Sequence, residues 1–439
     1  MLKRQTQTAQ QHGVTLLELM VAMAVSSFIM LGISNIYLST KKSYVIHDEF
    51  SRIQENGRYA TETLSTNIRN AGFFGCSSGQ IGQTSSTLRN PEQSAWNFQT
   101  GLMGYEAVGT DFDNPVTIIT PEVNDGVAGD WVTAAGLTAE NPAGGADILI
   151  SVNPEAAITN LAVKGSDILI IRTADNSGVR IDRNNQGAQF FAVNPTGAPE
   201  ANNCIANICE NDILLISDCA KSLIFQATNI AGVGGGGCNA AAPATCFNVV
   251  HSNAANIPGN VTPTWADHDY GPDSEIMTVV TKAYFVGVNP GGIGGGAVVT
   301  EPSLYVRENN GVPQPLVEGI ENMQVLYGVD TDITAGNIAG DGIANRYVSA
   351  DDVVNQDGDS NSVFESVVSV KISILARTPQ NLPGLNRTAA DYAALTYPMV
   401  SPASPILINP FTPGTADRRM RKVFNLTLKV RNKSFNTAN

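Results

Sequence analysis

Gly13-Val14-Thr15-Leu16-Leu17-Glu18-Leu19-Met20-Val21-Ala22-Met23-Ala24 opens an apolar run that continues to about Leu38, with Glu18 its only charge. As a helix the run covers roughly 37 Å at 1.5 Å per residue, enough to cross a bilayer core. A carboxylate at that depth costs about 2.5–3.5 kcal/mol on insertion scales, so its presence calls for a reason.

The residues before the run sharpen the reading. Met1 to Gly13 carries Lys3, Arg4 and His12 and no acidic residue. A secretory signal peptide places its cleavage site after the apolar run, following small residues. Here the candidate processing point, Gly13, comes before it. A plain N-terminal signal anchor accounts for the basic start and the apolar run, but for neither Gly13 nor Glu18.

This arrangement resembles the class III signal of type IV prepilins: a short basic leader, Gly, then an apolar helix with Glu at the fifth mature position. The match falls on Gly13, Val14, Thr15, Leu16 and Glu18. Val14 departs from the Phe or Met usual after the Gly. The resemblance implies that a membrane prepilin peptidase cuts between Gly13 and Val14 and N-methylates Val14. It also implies that Thr15 and Glu18 serve assembly. A carboxylate at this depth can meet the new amino terminus of a packed neighbour, and each charge then relieves the other's desolvation. The alternative is that Glu18 only marks the processing site.

After Leu38 the helical pattern continues and becomes amphipathic. Ile46, Phe50, Ile53, Gly57, Ala60, Leu64 and Ile68 recur at three- and four-residue steps, one face of a helix. No proline interrupts Val14 to Asn70, and Gly72 is a fitting stop. The pattern predicts one helix of about 55 residues, roughly 80 Å long. Its first half, 14–38, belongs in a membrane and then a filament core. Its second half, 39–72, lays the apolar stripe on a head.

Further blocks resemble PilW-type minor pilins. Gln54-Glu55-Asn56-Gly57-Arg58-Tyr59-Ala60 and Arg69-Asn70-Ala71-Gly72-Phe73-Phe74-Gly75-Cys76 follow the membrane segment. Leu316-Val317-Glu318-Gly319-Ile320-Glu321, Leu326-Tyr327-Gly328-Val329-Asp330, Arg418-Arg419-Met420-Arg421-Lys422-Val423-Phe424 and Val430-Arg431-Asn432 lie towards the end. The resemblance implies an α+β fold: a long N-terminal helix packed on a large β-rich head, 73–439, with room for two lobes.

Composition agrees with such a head. Only 15% of the 439 residues are charged, while 41 glycines and 22 prolines suit short strands joined by turns. The net charge of −14 becomes −16 once Lys3 and Arg4 leave with the leader, which argues against nucleic acid as a partner. The six cysteines, Cys76, Cys204, Cys209, Cys219, Cys238 and Cys246, form an even set that suits disulfides outside the cytoplasm. Cys204–Cys209 and Cys238–Cys246 are natural staples by proximity, but spacing alone leaves the full pairing open. The paired Cys-x-x-Cys spacings of a zinc site do not occur.

Three strand openings share a form: Asp147-Ile148-Leu149-Ile150, Asp167-Ile168-Leu169-Ile170-Ile171 and Asp212-Ile213-Leu214-Leu215-Ile216. Each places a turn-favouring Asp before an apolar run, which predicts strands covered on both faces. Val368, Val370, Ile372 and Ile374 alternate with polar residues, as do Phe424, Leu426, Leu428 and Val430. That alternation predicts half-buried strands with a polar face outward. Arg418, Arg419, Arg421, Lys422, Lys429, Arg431 and Lys433 read as a solvated basic face or as a surface for an acidic neighbour. The glycine-dense stretches 232–237 and 291–296 lack the Lys-Ser/Thr of a phosphate loop and read as connections.

No catalytic constellation is present: neither Gly-x-Ser-x-Gly nor His-Glu-x-x-His occurs, and His47, His251 and His268 stand outside any motif. The reading is non-enzymatic and without a cofactor. Asp357, Asp359 and Asn361 match the first three ligand positions of a calcium loop. Ser362 then replaces the required glycine and Val368 the bidentate glutamate. A solvated acidic loop, shared with Asp330, Asp332, Asp341, Asp351, Asp352 and Glu365, is the better reading.

The resemblance implies a minor pilin that helps prime type IV pilus assembly within a minor-pilin complex at or near the pilus tip. Its implied partners are other minor pilins, the major pilin, the prepilin peptidase, the inner-membrane assembly platform and a PilY-type tip adhesin. It would sit in the bacterial inner membrane with its head in the periplasm, then reach the cell surface at the tip. Two rivals share the N-terminal chemistry: a minor pseudopilin of a type II secretion system, and a pilin-anchored adhesin.

Overall fold

The computed structural model describes residues 15–431 except 76–83, 99, 111–126, 140, 185–186, 194–203, 219, 233–237, 239–245, 254–255, 263–264, 266–267, 273, 290, 293–297, 333–340, 354–359, 380, 383–396, 400–409 and 412–417. The protein has an α+β architecture, one long helix and a β-rich head.

The helix runs Leu16–Asn70, 55 residues. Thr15 to Tyr44 are all exposed, and Ile53 is the first fully buried position. From there the apolar stripe goes under cover: Ile53, Gly57, Ala60, Leu64 and Ile68 are buried while their neighbours face solvent. Burying Ile53, Leu64 and Ile68 supplies about 1.5–3 kcal/mol each. The predicted stripe is therefore buried in its second half, whereas Ile46 is half-exposed and Phe50 exposed. The helix ends where Gly72 turns into the left-handed region at φ +71°, a conformation that costs glycine little.

The helix packs chiefly on a four-stranded antiparallel sheet, against Arg421–Lys429 and Val367–Arg377. The strand order is Arg346–Val348, Ile320–Val329, Val367–Arg377, Arg421–Lys429. Register sets Ile374 beside Phe424, Ile372 beside Leu426 and Val370 beside Leu428. These apolar pairs, with the helix stripe, belong to the largest core cluster.

A second sheet, of 12 strands among the described residues, forms most of the rest of the head, with three two-stranded sheets beside it. Its spine is Ile168–Asn184 paired antiparallel with Glu275–Asn289. Both strands change partners along their length. Near the helix end, Ile168–Ile171 pair with Leu102–Tyr105, and Lys282–Asn289 pair with Val299–Glu308. At the far end, Arg180–Asn184 pair with Gln189–Val193, and Glu275–Thr278 pair with Ile213–Ser217. Cys246–Val250 and Asn229–Gly232 extend that far end. It has its own aromatic core around Phe190, Phe225, Phe247 and Trp265.

Asp167 ties the sheets together. Its Oδ1 accepts the Ala107 N–H at 3.0 Å and its Oδ2 the Val325 N–H at 2.7 Å, while its own N–H donates to the Met323 carbonyl. The buried runs Ile168–Ile171 and Ile213–Ile216 agree with the sequence reading. Ile148–Leu149 does not. It is a two-residue strand that pairs, among the described residues, with Thr138–Ala139, and its Leu149 is 69% exposed.

The polar face of Val367–Arg377 also departs from expectation. The strand is interior, with a partner on each side, and Ser369 and Ser373 are buried. Their hydroxyls are satisfied by neighbours rather than water: Ser373 bonds Asn425, and Ser369 bonds the Tyr347 hydroxyl at 3.0 Å. Arg421–Lys429 is the edge strand, and Asn425, Thr427 and Lys429 face solvent as the alternation predicts.

Candidate functional site

The N-terminal site is the start of the exposed rod. Gly13 and Val14 lie outside the described residues; Thr15 and Glu18 are described. Thr15 caps the helix, and its N–H and Oγ1 donate to Glu18 Oε2 at 2.9 and 3.0 Å. The Glu18 N–H returns a bond to Thr15 Oγ1 at 3.3 Å. This reciprocal capping box satisfies two of the backbone donors that every helix start leaves open. It also gives the lone carboxylate of the apolar run a partner within its own chain. Below it the helix is long and apolar enough to cross a membrane, and none of that apolar window is buried in the head.

The second site is the junction of helix and head, where stretches distant in sequence converge. Asn56 Nδ2 donates to the Glu318 carbonyl at 2.9 Å. Gly57 lies against the Phe424 ring, and Lys422 sits over the rings of Phe50 and Phe424. Gly319 follows at φ +74°, with the Arg377 carbonyl close to where a side chain would begin.

Two residues further, in the strand Ile320–Val329, Glu321 is fully buried between two arginines. Its Oε1 accepts from Arg377 Nη1 at 3.1 Å and Arg421 Nη2 at 2.9 Å, and its Oε2 from Arg421 Nε at 2.5 Å. Arg377 Nη2 reaches on to Glu301 Oε2 at 3.0 Å. A carboxylate gripped by two guanidiniums, one of them bidentate, meets the condition under which buried charge is tolerable. The sequence reading placed Arg421 on a solvated basic face. The structure corrects this: its side chain is 1% exposed because Glu321 draws it inward. The sequence offered no clear signal, since Glu321 stands beside Asn322 and near Gln324 and Glu318; its burial, and with it the need for a cationic partner, comes from the fold.

The acidic cluster is rearranged relative to expectation. Asp357 and Asp359 lie outside the described residues, and Asn361 falls in a short 3₁₀ helix, Ser360–Ser366. Asp330, Asp332 and Asp341 instead bring one carboxylate oxygen each within 4.8 Å of one another. Oxygen donors of this kind suit a hard cation. Asp330 is buried, however, and both its oxygens already accept backbone N–H groups, from Asp332 at 3.1 Å and Gly342 at 2.8 Å.

Cys204 is bonded to Cys209, and Cys238 to Cys246. Cys76 and Cys219 lie outside the described residues. His268 pairs with Asp218, a contact that no motif announced.

Residues 8–34 match the prokaryotic N-terminal methylation motif, and residues 283–432 match the family of type IV pilus-assembly protein W. No curated protein matches the chain. Among solved structures, a type IV-like pilin from Thermus thermophilus is similar at 18% identity with a TM-score of 0.19. That likeness covers 36% of this chain and 66% of the pilin. The exposed apolar half-helix, the methylation-motif match and the β-rich head are together similar to a type IV pilin, and the N-terminal helix is long and apolar enough to cross a membrane. More particularly, the similarity to type IV pilus-assembly protein W falls on the C-terminal region, which holds the sheet under the helix.

Proposed function

We propose that this protein is a minor pilin that primes type IV pilus assembly within a minor-pilin complex and takes a position at or near the filament tip. The observation that carries this reading is the pairing of an exposed apolar run, whose one charge is Glu18, with a very large head. The rod supplies the shared assembly chemistry. Prepilin peptidase removes residues 1–13 and methylates Val14, and the apolar half-helix holds the subunit in the inner membrane until extraction. Helix packing then replaces lipid contacts. Glu18 exchanges its bonds to Thr15 for the amino terminus of a neighbouring subunit and so selects the register. The head, 367 residues from Phe73 onward, is too bulky to repeat along a shaft, which favours a capping position. Other minor pilins, the major pilin, the assembly platform and a PilY-type adhesin are the partners this position implies.

Deletion of the gene, scored for surface pili and twitching, tests the reading. Loss of both is expected. Intact pili with failed protein secretion would assign the chain to a type II secretion system instead. Intact pili that no longer hold to a surface would assign it as an adhesin. Glu18→Ala separates assembly from processing: the expected outcome is normal cleavage after Gly13 with no incorporation into filaments.

A further inference from the structure

The aromatic core at the far end of the large sheet lies between the two matched regions, and it contains a histidine where a hydrophobic residue would be ordinary. His251 follows the strand Cys246–Val250 and is 1% exposed. Its ring stacks on Trp265, with centroids 4.2 Å apart and planes 12° from parallel. Phe225 and Phe190 stand at 5.4 and 6.1 Å. Neither ring nitrogen has a hydrogen-bond partner among the described residues. The backbone is anchored: the His251 N–H donates to the Ala188 carbonyl, and the adjacent Val250 carbonyl accepts from Thr228 N–H. His251 therefore sits where three outer strands, Gln189–Val193, Cys246–Val250 and Asn229–Gly232, are held together.

We infer that His251 makes this outer part of the head acid-sensitive, so that protonation of its ring opens these three strands while the helix-bearing sheet stays closed. A neutral imidazole tolerates an aromatic box, but an imidazolium has two N–H donors, both charged, and here no other described residue accepts from either; only the ring's own backbone favours the charged form, and desolvation outweighs it. One stacked indole face offsets part of that loss, but it cannot replace two hydrogen bonds to water.

Among the described residues, the rings packed around His251 bring no counter-charge with them. Gln189–Val193 presents Phe190, and Ser222–Gln226 presents Phe225. The segment beyond Trp265 presents Tyr270, whose ring touches Trp265, and His268, whose ring touches Tyr270. The carboxylate next in line, Asp218, pairs with His268. Burial accordingly lowers the His251 pKa to about 4. A base whose folded pKa lies below its ordinary value of about 6.5 loses stability on acidification, beginning below that value and complete near pH 4.

Hydrogen exchange of the full-length protein in detergent at pH 7 and pH 4, corrected for intrinsic rates, tests this. Amides in 189–193, 229–232 and 246–250 are expected to lose about a hundredfold in protection at pH 4, while those in 320–329 and 367–377 keep theirs. His251→Phe is expected to abolish the loss, and His251→Gln, which keeps a polar ring-sized group without a titrating proton, to do the same if the bulkier ring perturbs folding. Unchanged protection in the natural protein at pH 4, an equal loss in both sheets, or a loss that persists in both variants would overturn the inference.

Discussion

Gly57 and Phe424 share a space that only one side chain can fill. A Cβ built on Gly57 would lie 2.1 Å from the Phe424 ring, so the absence of a side chain on the helix is what lets the edge strand approach it. Glycine in a helix interior costs about 1 kcal/mol relative to alanine, and here the close packing offsets that cost.

It follows that Gly57→Ala destabilises despite its better helix propensity. Overpacking costs about 1–3 kcal/mol, or more where the neighbour cannot yield. Phe424→Leu in the same chain should recover part of the loss. Denaturant unfolding of the two single variants and the double variant forms a cycle, and a coupling near zero would show that the contact does not hold the helix to the head.

The carboxylate between Arg377 and Arg421 is the second determinant of that junction. Glu321→Gln takes the shared carboxylate from Arg421 and leaves Arg377, among the described residues, only Glu301, and removing one member of a buried ion cluster costs about 3–5 kcal/mol. The expected result is a lower unfolding midpoint with an unchanged denaturant slope. Replacing Glu321, Arg377 and Arg421 together by apolar residues of similar volume should cost much less than Glu321→Gln alone.

Asp167 holds the two sheets in register through the Ala107 and Val325 amides. Asp167→Ala orphans both N–H groups, at about 1–3 kcal/mol each. Asp167→Asn keeps one acceptor and should cost about half as much. Hydrogen exchange at the amides of Ala107 and Val325 is the direct readout, and both should exchange faster in the alanine variant.

The bond between Cys238 and Cys246 closes a short loop beside the aromatic core, with a sequence separation of 8. Loop-closure entropy for so short a ring amounts to about 2–3 kcal/mol. Replacing both cysteines by serine should lower stability by that amount, measured by denaturation without reductant. Adding reductant to the natural protein should reproduce the change.

The pattern of residues alone was enough to determine the rod, its length, its stop at Gly72 and an apolar stripe along it, though the stripe read from Ile46 goes under cover only from Ile53 to Ile68. Apolar spacing and the absence of proline act within a few residues, and local terms dominate a long helix. The same holds for the outward polar face of Arg421–Lys429. Tertiary structure alone decided how the strands are ordered, why Ser369 and Ser373 are buried, and that Asp330, Asp332 and Asp341 meet. It also decided that Arg421 turns inward to Glu321, 100 residues away. Such partners are joined by no periodicity. Burial of a charge is settled only when a distant segment brings the opposite one, and which segment arrives depends on the packing of the whole head.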